Sequence, residues 1–220
     1  MITVYFANTS IIQKTDPECL KVLLSPDSKS KLAGLKREVD RNLLLTTSVL
    51  LTQMLFENGF KSYKTCDLQY SNTGRPFFSD SPFDFNISHT DNCAAVVFSE
   101  NCRVGIDIER IKEVGLQDFE NIFSKEVWNI IHSSGNKIRK FYYYWTQLES
   151  AIKADGRGLS LVPSGNIEIG DDRVLIDGIN WFSHHNDIST AISCCIASDK
   201  EEKNIHFREL NSLFGVEFFP

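Results

Sequence analysis

Two long stretches with helical apolar spacing, each set among short strand-like runs, constrain this chain most. In residues 25–59, apolar side chains recur at Leu32, Leu35, Val39, Leu43, Leu50 and Met54, close to a 3.6-residue period, and Gly59 offers a stop. In "KIRKFYYYWTQLESAIKADG" (137–156), Phe141, Trp145, Leu148 and Ile152 form one stripe that ends at Gly156. A shorter helix is expected over 118–135, with Ser124 as an N-cap and Glu126 near its positive end. Around these lie "ITVYFA" (2–7), "FNIS" (85–88), "CAAVVFS" (93–99) and "RVGIDIE" (103–109). The last three are expected to form an antiparallel meander. The tail adds "NIEI" (166–169), "RVLI" (173–176), "INWFSHH" (179–185) and "STAISCCIAS" (189–198).

Helical stripes and strand faces must cover one another, so the fold class is α+β. "NISHTDNCAAVVFS" (86–99) and "WFSHHNDISTAISCCIAS" (181–198) both place Ser-His after a strand, followed by a polar turn and an apolar strand. This echo suggests two similar halves, 1–109 and 110–220, each an antiparallel sheet packed on helices and related by a pseudo-twofold.

At 220 residues with 42% hydrophobic and 24% charged side chains, the chain has ordinary globular composition. The start "MITVYFANTSIIQK" lacks the basic segment of a signal peptide, and no run approaches the roughly 20 apolar residues of a membrane helix. The six cysteines show no CxxC spacing, and Cys93, Cys194 and Cys195 sit in apolar runs as buried thiols would. A cytoplasmic protein without a membrane partner is expected. Net charge is −6, yet residues 1–75 carry ten Lys/Arg against seven Asp/Glu. Nucleic-acid binding, which needs a broad basic surface, is not expected. A local basic patch for a small polyanion is compatible with this distribution.

The segment "GIDIERIK" (105–112) puts Asp107 and Glu109 on one face of an extended chain, with Ile106 and Ile108 on the other. Like charges side by side repel, so water or a cation must compensate them. One reading is a solvated strand end. The other adds Glu149, which forms an i,i+4 pair with Lys153 on the second long helix. That pair by itself is also what a surface ion pair looks like. Spacing cannot bring Glu149 to Asp107; only the fold can. Were it to do so, three carboxylates without His or Cys would describe a hard-cation site for Mg²⁺, and Lys153 beside it would suit phosphoryl transfer.

Lys29, Lys31, Lys36, Arg37 and Arg41 cluster at the start of the first long helix, interleaved with Glu38 and Asp40. They read either as a solvated helix face or as contacts for an anion. Arg75, in "GRP", reads as a loop residue or an anion contact. Ser88 and His89 follow a strand into a turn, where both could donate to a phosphate. No triad logic surrounds them, and the chain has neither a GxGxxG nor a GKS/GKT phosphate loop.

"GRP", "FNISHT", "GIDIE", "FSKE" and "WTQLESAIKADGRGLS" occur in the order and at the approximate distances of the 4′-phosphopantetheinyl transferase superfamily. The chain resembles its surfactin-synthetase-associated (Sfp-like) monomeric branch, as distinct from the short trimeric holo-acyl-carrier-protein synthases. The resemblance implies transfer of the phosphopantetheine arm of coenzyme A to a serine of an apo carrier protein, releasing adenosine 3′,5′-bisphosphate. It implies that Asp107, Glu109 and Glu149 hold Mg²⁺, and that Lys153 and His89 contact the pyrophosphate. Ser88, Lys31 and Arg41 would engage the 3′-phosphate end, with Arg75 near the nucleotide. Glu149, directly or through a metal-bound water, is the implied acceptor of the serine proton, and Glu126 the second candidate. Carrier proteins of this kind are acidic around their serine, as is this chain, so docking is expected to use a local basic or apolar patch. Leu148 stands where many relatives carry lysine, and Arg75 where the commoner form is lysine. Two rival readings are a coenzyme A pyrophosphate hydrolase and a non-catalytic coenzyme A or carrier-binding module.

Overall fold

The structure is a computed structural model that describes residues 1–158 and 166–213. Leu159 and Ser160, the last residues of the "WTQLESAIKADGRGLS" motif, lie outside the described residues. The chain runs β1 (Ile2–Asn8), α1 (Pro17–Leu20), α2 (Pro26–Gly34), α3 (Glu38–Glu57), β2 (Gln69–Tyr70) and β3 (Pro76–Phe77). It continues with β4 (Asp84–Thr90), β5 (Cys93–Ser99), β6 (Val104–Arg110), α4 (Lys125–Ser133) and α5 (Lys137–Asp155). The last elements are β7 (Ile167–Ile169), β8 (Arg173–Ile176), β9 (Ile179–His185), β10 (Ile192–Ser198) and β11 (Ile205–Glu209). Among the described residues no helix is long and apolar enough to cross a membrane.

The elements gather into two compact units. The first comprises Met1–Asn101 and takes in the tail from Glu202; the second is Cys102–Glu201. The expected division at 109/110 differs from this partition, because β6 pairs with β10 in the second unit. For the same reason the three-strand meander stops at β4–β5.

In the first unit the sheet order is β11-β1-β5-β4. All its pairings are antiparallel except β11, which lies parallel to β1 with Ile2 opposite Ile205. The single helix expected over 25–59 is two helices. Ser25 caps α2 by accepting from Ser28 N, Pro26 occupies the first turn, and Leu35–Arg37 break the run. Helix α3 then packs Leu43, Leu50, Leu51 and Met54 on Tyr5, Phe85, Val96 and Phe98 of the sheet.

In the second unit the order is β6-β10-β9-β8-β7, antiparallel throughout. Helix α4 starts at the expected N-cap, Ser124, which accepts from Val127 N. The segment before it is not helical as expected over 118–123: it forms only a short 3-10 turn at Leu116–Phe119. Helix α5 ends as its sequence predicts, at Gly156 in the left-handed conformation, φ 84°. The stripe Phe141, Leu148 and Ile152 is buried against Trp128, Val174, Ile176, Trp181 and Ala197, while Trp145 packs at the margin. Burying such side chains contributes about 1.5–3 kcal/mol each, and this holds α5 to the sheet.

Candidate functional site

One small residue sets the distance between helix and strand. A Cβ at Gly105 would stand 2.1 Å from the Ser150 carbonyl oxygen and 2.4 Å from Ala154 N, so only glycine lets α5 lie this close to β6. Asp107 and Glu109 share the face of Gly105 by strand alternation and therefore look toward α5. Ile106 and Ile108, on the opposite face, are fully buried. The solvated-strand-end reading fails for Asp107, which is only 4% exposed; Glu109 is half-buried.

The helix supplies the partners. Lys153 Nζ donates to Asp107 Oδ1 at 2.7 Å. Glu149, one turn earlier on α5, is half-buried, and its carboxyl is raised to about 7. Burial is the main cause, because it penalises the charged form; the charges of Asp107 and Glu109 add to it and Lys153 opposes it. The fold thus does what spacing could not. It brings the helix carboxylate into electrostatic range of both strand carboxylates, with one ammonium among them. The Glu149–Lys153 spacing therefore belongs to a partly buried cluster and is not an isolated surface ion pair: Lys153 donates to Asp107 and also acts on the Glu149 carboxyl.

The donor chemistry suits a hard cation. All three acids offer oxygen, and the repulsion that Asp107 and Glu109 add to the burial of Glu149 is negative charge that a divalent ion would relieve. No group of three His, Cys, Asp or Glu side chains among the described residues is already disposed as metal ligands. The ammonium on Asp107 occupies part of that role.

Leu148 does not face this cluster. It is 2% exposed and belongs to the apolar core of the second unit. Glu126 also stands apart: its exposed carboxylate is held below the usual range by hydrogen bonds from its own backbone and from Ser124, as suits the first turn of α4. Gln147 was not singled out by the sequence. It is wholly buried, and its Nε2 donates to Gly170 O at 2.9 Å and Ser183 Oγ at 3.3 Å, which fixes α5 against the sheet. Its i+3 spacing from Tyr144 and i+4 spacing to Ala151, both buried, was the available signal. The Cys195 thiol, opposite Asp107 in the register, is driven up to about 12 by burial and is inert as a nucleophile.

The remaining candidates lie in the first unit. Ser88 and His89 are both within β4, not in a turn, and alternation sends them to opposite faces: Ser88 is buried and His89 exposed. His89 lies near enough to Asp40 to help hold its carboxyl below the usual range, after the hydrogen bond from Arg37. Arg41, in the first turn of α3, donates Nη1 to the carbonyls of Leu35 and Lys36 at 2.9 Å each. Lys29 and Arg41 line one groove of about 750 Å³ with Leu32, Leu35 and Asn42, whereas exposed Lys31 does not line it. Arg75 is no free loop residue: its Nη2 donates to Asp84 Oδ2 at 2.7 Å.

The sequence profile of the 4′-phosphopantetheinyl transferase superfamily matches residues 103–203, the span that holds β6, α5 and the acid cluster. Over these residues the chain is similar to the 4′-phosphopantetheinyl transferase superfamily. It is 27% identical to the 4′-phosphopantetheinyl transferase ffp of Bacillus subtilis over 76% of each chain. It is 28% identical to the 4′-phosphopantetheinyl transferase Sfp of Bacillus subtilis strain 168 over 68% of each. A Haemophilus influenzae protein provisionally named as a 4′-phosphopantetheinyl transferase is 28% identical over 96% of this chain and 92% of its own length. The ffp and Sfp matches support the expected resemblance to the Sfp-like branch. Within a 4′-phosphopantetheinyl transferase frame, Leu148 is a core residue here and not a missing cation at the cluster.

Proposed function

We propose that this chain transfers the 4′-phosphopantetheine arm of coenzyme A to a serine hydroxyl of an apo carrier protein. One observation carries the reading: a half-buried glutamate raised to about 7, flanked by two acids and a lysine that the fold gathers from β6 and α5. A carboxylate with that pKa is matched to accepting a hydroxyl proton near neutral pH, and serine needs such a base because it is weakly nucleophilic when protonated. In the proposed step the serine Oγ attacks the phosphorus that bears the pantetheine arm. A P–O bond of the pyrophosphate breaks, and adenosine 3′,5′-bisphosphate leaves with the bridging oxygen. The serine proton passes to Glu149. Lys153 stabilises charge on the departing phosphate.

Asp107, Glu109 and Glu149 are the residues proposed to hold Mg²⁺, which when bound would neutralise charge on the pyrophosphate. In the first unit, Lys31, Arg41, Ser88 and His89 are proposed to meet coenzyme A phosphates, with Arg75 toward the nucleotide. Lys29, which shares the groove with Arg41, is the better-supported lysine. The protein is proposed to act as a cytoplasmic monomer.

The test mixes purified protein, coenzyme A and Mg²⁺ with apo acyl, peptidyl and aryl carriers and reads intact carrier mass. Addition of phosphopantetheine to the wild-type carrier, but not to its Ser→Ala form, is expected. Asp107→Ala should abolish transfer while the circular dichroism spectrum stays native. Cleavage of coenzyme A without any carrier would instead make the protein a pyrophosphate hydrolase. Binding without turnover would make it a carrier- or coenzyme-binding module.

A further inference from the structure

Lys153 stands in the last turn of α5, where helices fray because the final carbonyls lack intrahelical partners. Among the described residues several ties hold that turn. Gly156 N donates to Ile152 O at 2.9 Å, and Arg103 Nη2 donates to Asp155 O at 3.1 Å. A further tie is Arg157. Its Nε and Nη2 grip the two carboxylate oxygens of Asp155 at 2.6 and 2.9 Å, and its Nη1 donates to Asp177 Oδ2 at 2.7 Å. Asp177, at φ 49°, and Gly178, at φ 84°, form the tight turn between β8 and β9, and Asp177 Oδ1 also accepts from Asn166 N at 3.2 Å. One guanidinium therefore joins a buried carboxylate at the helix end to a carboxylate on a sheet turn.

We propose that Arg157 is a positioning residue for the transfer reaction, clamping Asp155 to Asp177 so that the last turn of α5 stays wound and Lys153 Nζ stays on Asp107. The proposal rests on the transferase reading for its kinetic consequence, but not for the clamp. Only arginine fits the role. Its planar fork serves both oxygens of Asp155 and leaves a third N–H for Asp177, which a lysine ammonium cannot reproduce. A purely structural Arg157 would lower the melting temperature, since its loss strands the buried Asp155 carboxylate, but would leave kcat of the folded enzyme unchanged.

The experiment compares the full chain with Arg157→Met, Arg157→Lys and Asn136→Ala. Asn136 Oδ1 accepts from Arg139 N at 2.9 Å and caps the opposite end of the same helix, so its loss weakens α5 without touching the last turn. Backbone hydrogen exchange is read without substrates, and kcat and KM are read with coenzyme A and carrier. In Arg157→Met the amides of Lys153–Gly156 should exchange about tenfold faster, with kcat down about tenfold and both KM values within about twofold. Arg157→Lys should fall between, and Asn136→Ala should keep wild-type kcat. Wild-type kcat in Arg157→Met, or unchanged exchange at 153–156, overturns the proposal. Should the wild-type chain modify no carrier, the transferase reading fails on its own, and the exchange data still uphold or overturn the clamp.

Discussion

Replacing Glu149 by glutamine should stabilise the protein, and only above acid pH. Glutamate in an unfolded chain titrates near 4.3, whereas Glu149 in the folded chain titrates at about 7. Below about pH 4.3 both states carry the proton, and the group contributes nothing to stability. As pH rises from there toward 7, the unfolded chain releases its proton while the folded chain keeps it. The unfolded state then binds fewer protons, so stability falls with rising pH. Above 7 both states are ionised and the loss levels off. At about 1.4 kcal/mol per pH unit the plateau is about 4 kcal/mol. A chain of this size changes its Tm by about 2–4 °C per kcal/mol, so Glu149→Gln should melt roughly 8–16 °C higher at pH 8 and at the wild-type temperature near pH 4. Scanning calorimetry from pH 4 to 8 in chelator measures this directly. The same carboxyl, acting as base, should make wild-type kcat/KM climb with pH up to about 7 and then flatten, while the glutamine variant transfers almost nothing. A melting difference independent of pH, or a glutamine variant less stable at pH 8, would refute the picture of a carboxyl crowded by Asp107 and Glu109.

Gly105→Ala should lower stability by about 1–3 kcal/mol or more and cut transfer sharply, because the new methyl meets helix backbone and not a movable side chain; thermal melts and carrier mass report both. Leu148→Lys, although it restores the residue common among relatives, should destabilise the chain without raising activity, since the ammonium would enter the core with Phe141 and Trp181; an increase in kcat would contradict the assigned burial. Glu126→Ala should leave kcat within about twofold while weakening only the first turn of α4, read by carrier mass and by hydrogen exchange at Lys125–Trp128.

Sequence alone made α5 legible because three independent signals agree there: a clean apolar stripe, a glycine in the left-handed cap position, and an acid–base spacing on one face. The strand acids were legible as a pair by alternation. Their burial was not, because it depends on Gly105 admitting a helix that lies more than forty residues away in sequence, and a lone glycine in a strand pattern can equally mark a bulge. Strand β11 escaped notice for a related reason: its residues alternate weakly at a half-exposed sheet edge, and only the parallel register with β1 defines it. The break between α2 and α3 was hidden because the apolar period survives across Leu35 and Val39 even though the backbone does not stay helical there. Arg75 and Leu148 show the limit from the other side. Judged against the residue types common in relatives, each departed from a family pattern; in the fold, one is held by Asp84 and the other fills a core. The meaning of a departure is set by which face of its element the residue occupies. That in turn follows from how closely α5 approaches β6, so the glycine that permits the approach governs the acid cluster as much as the acids do.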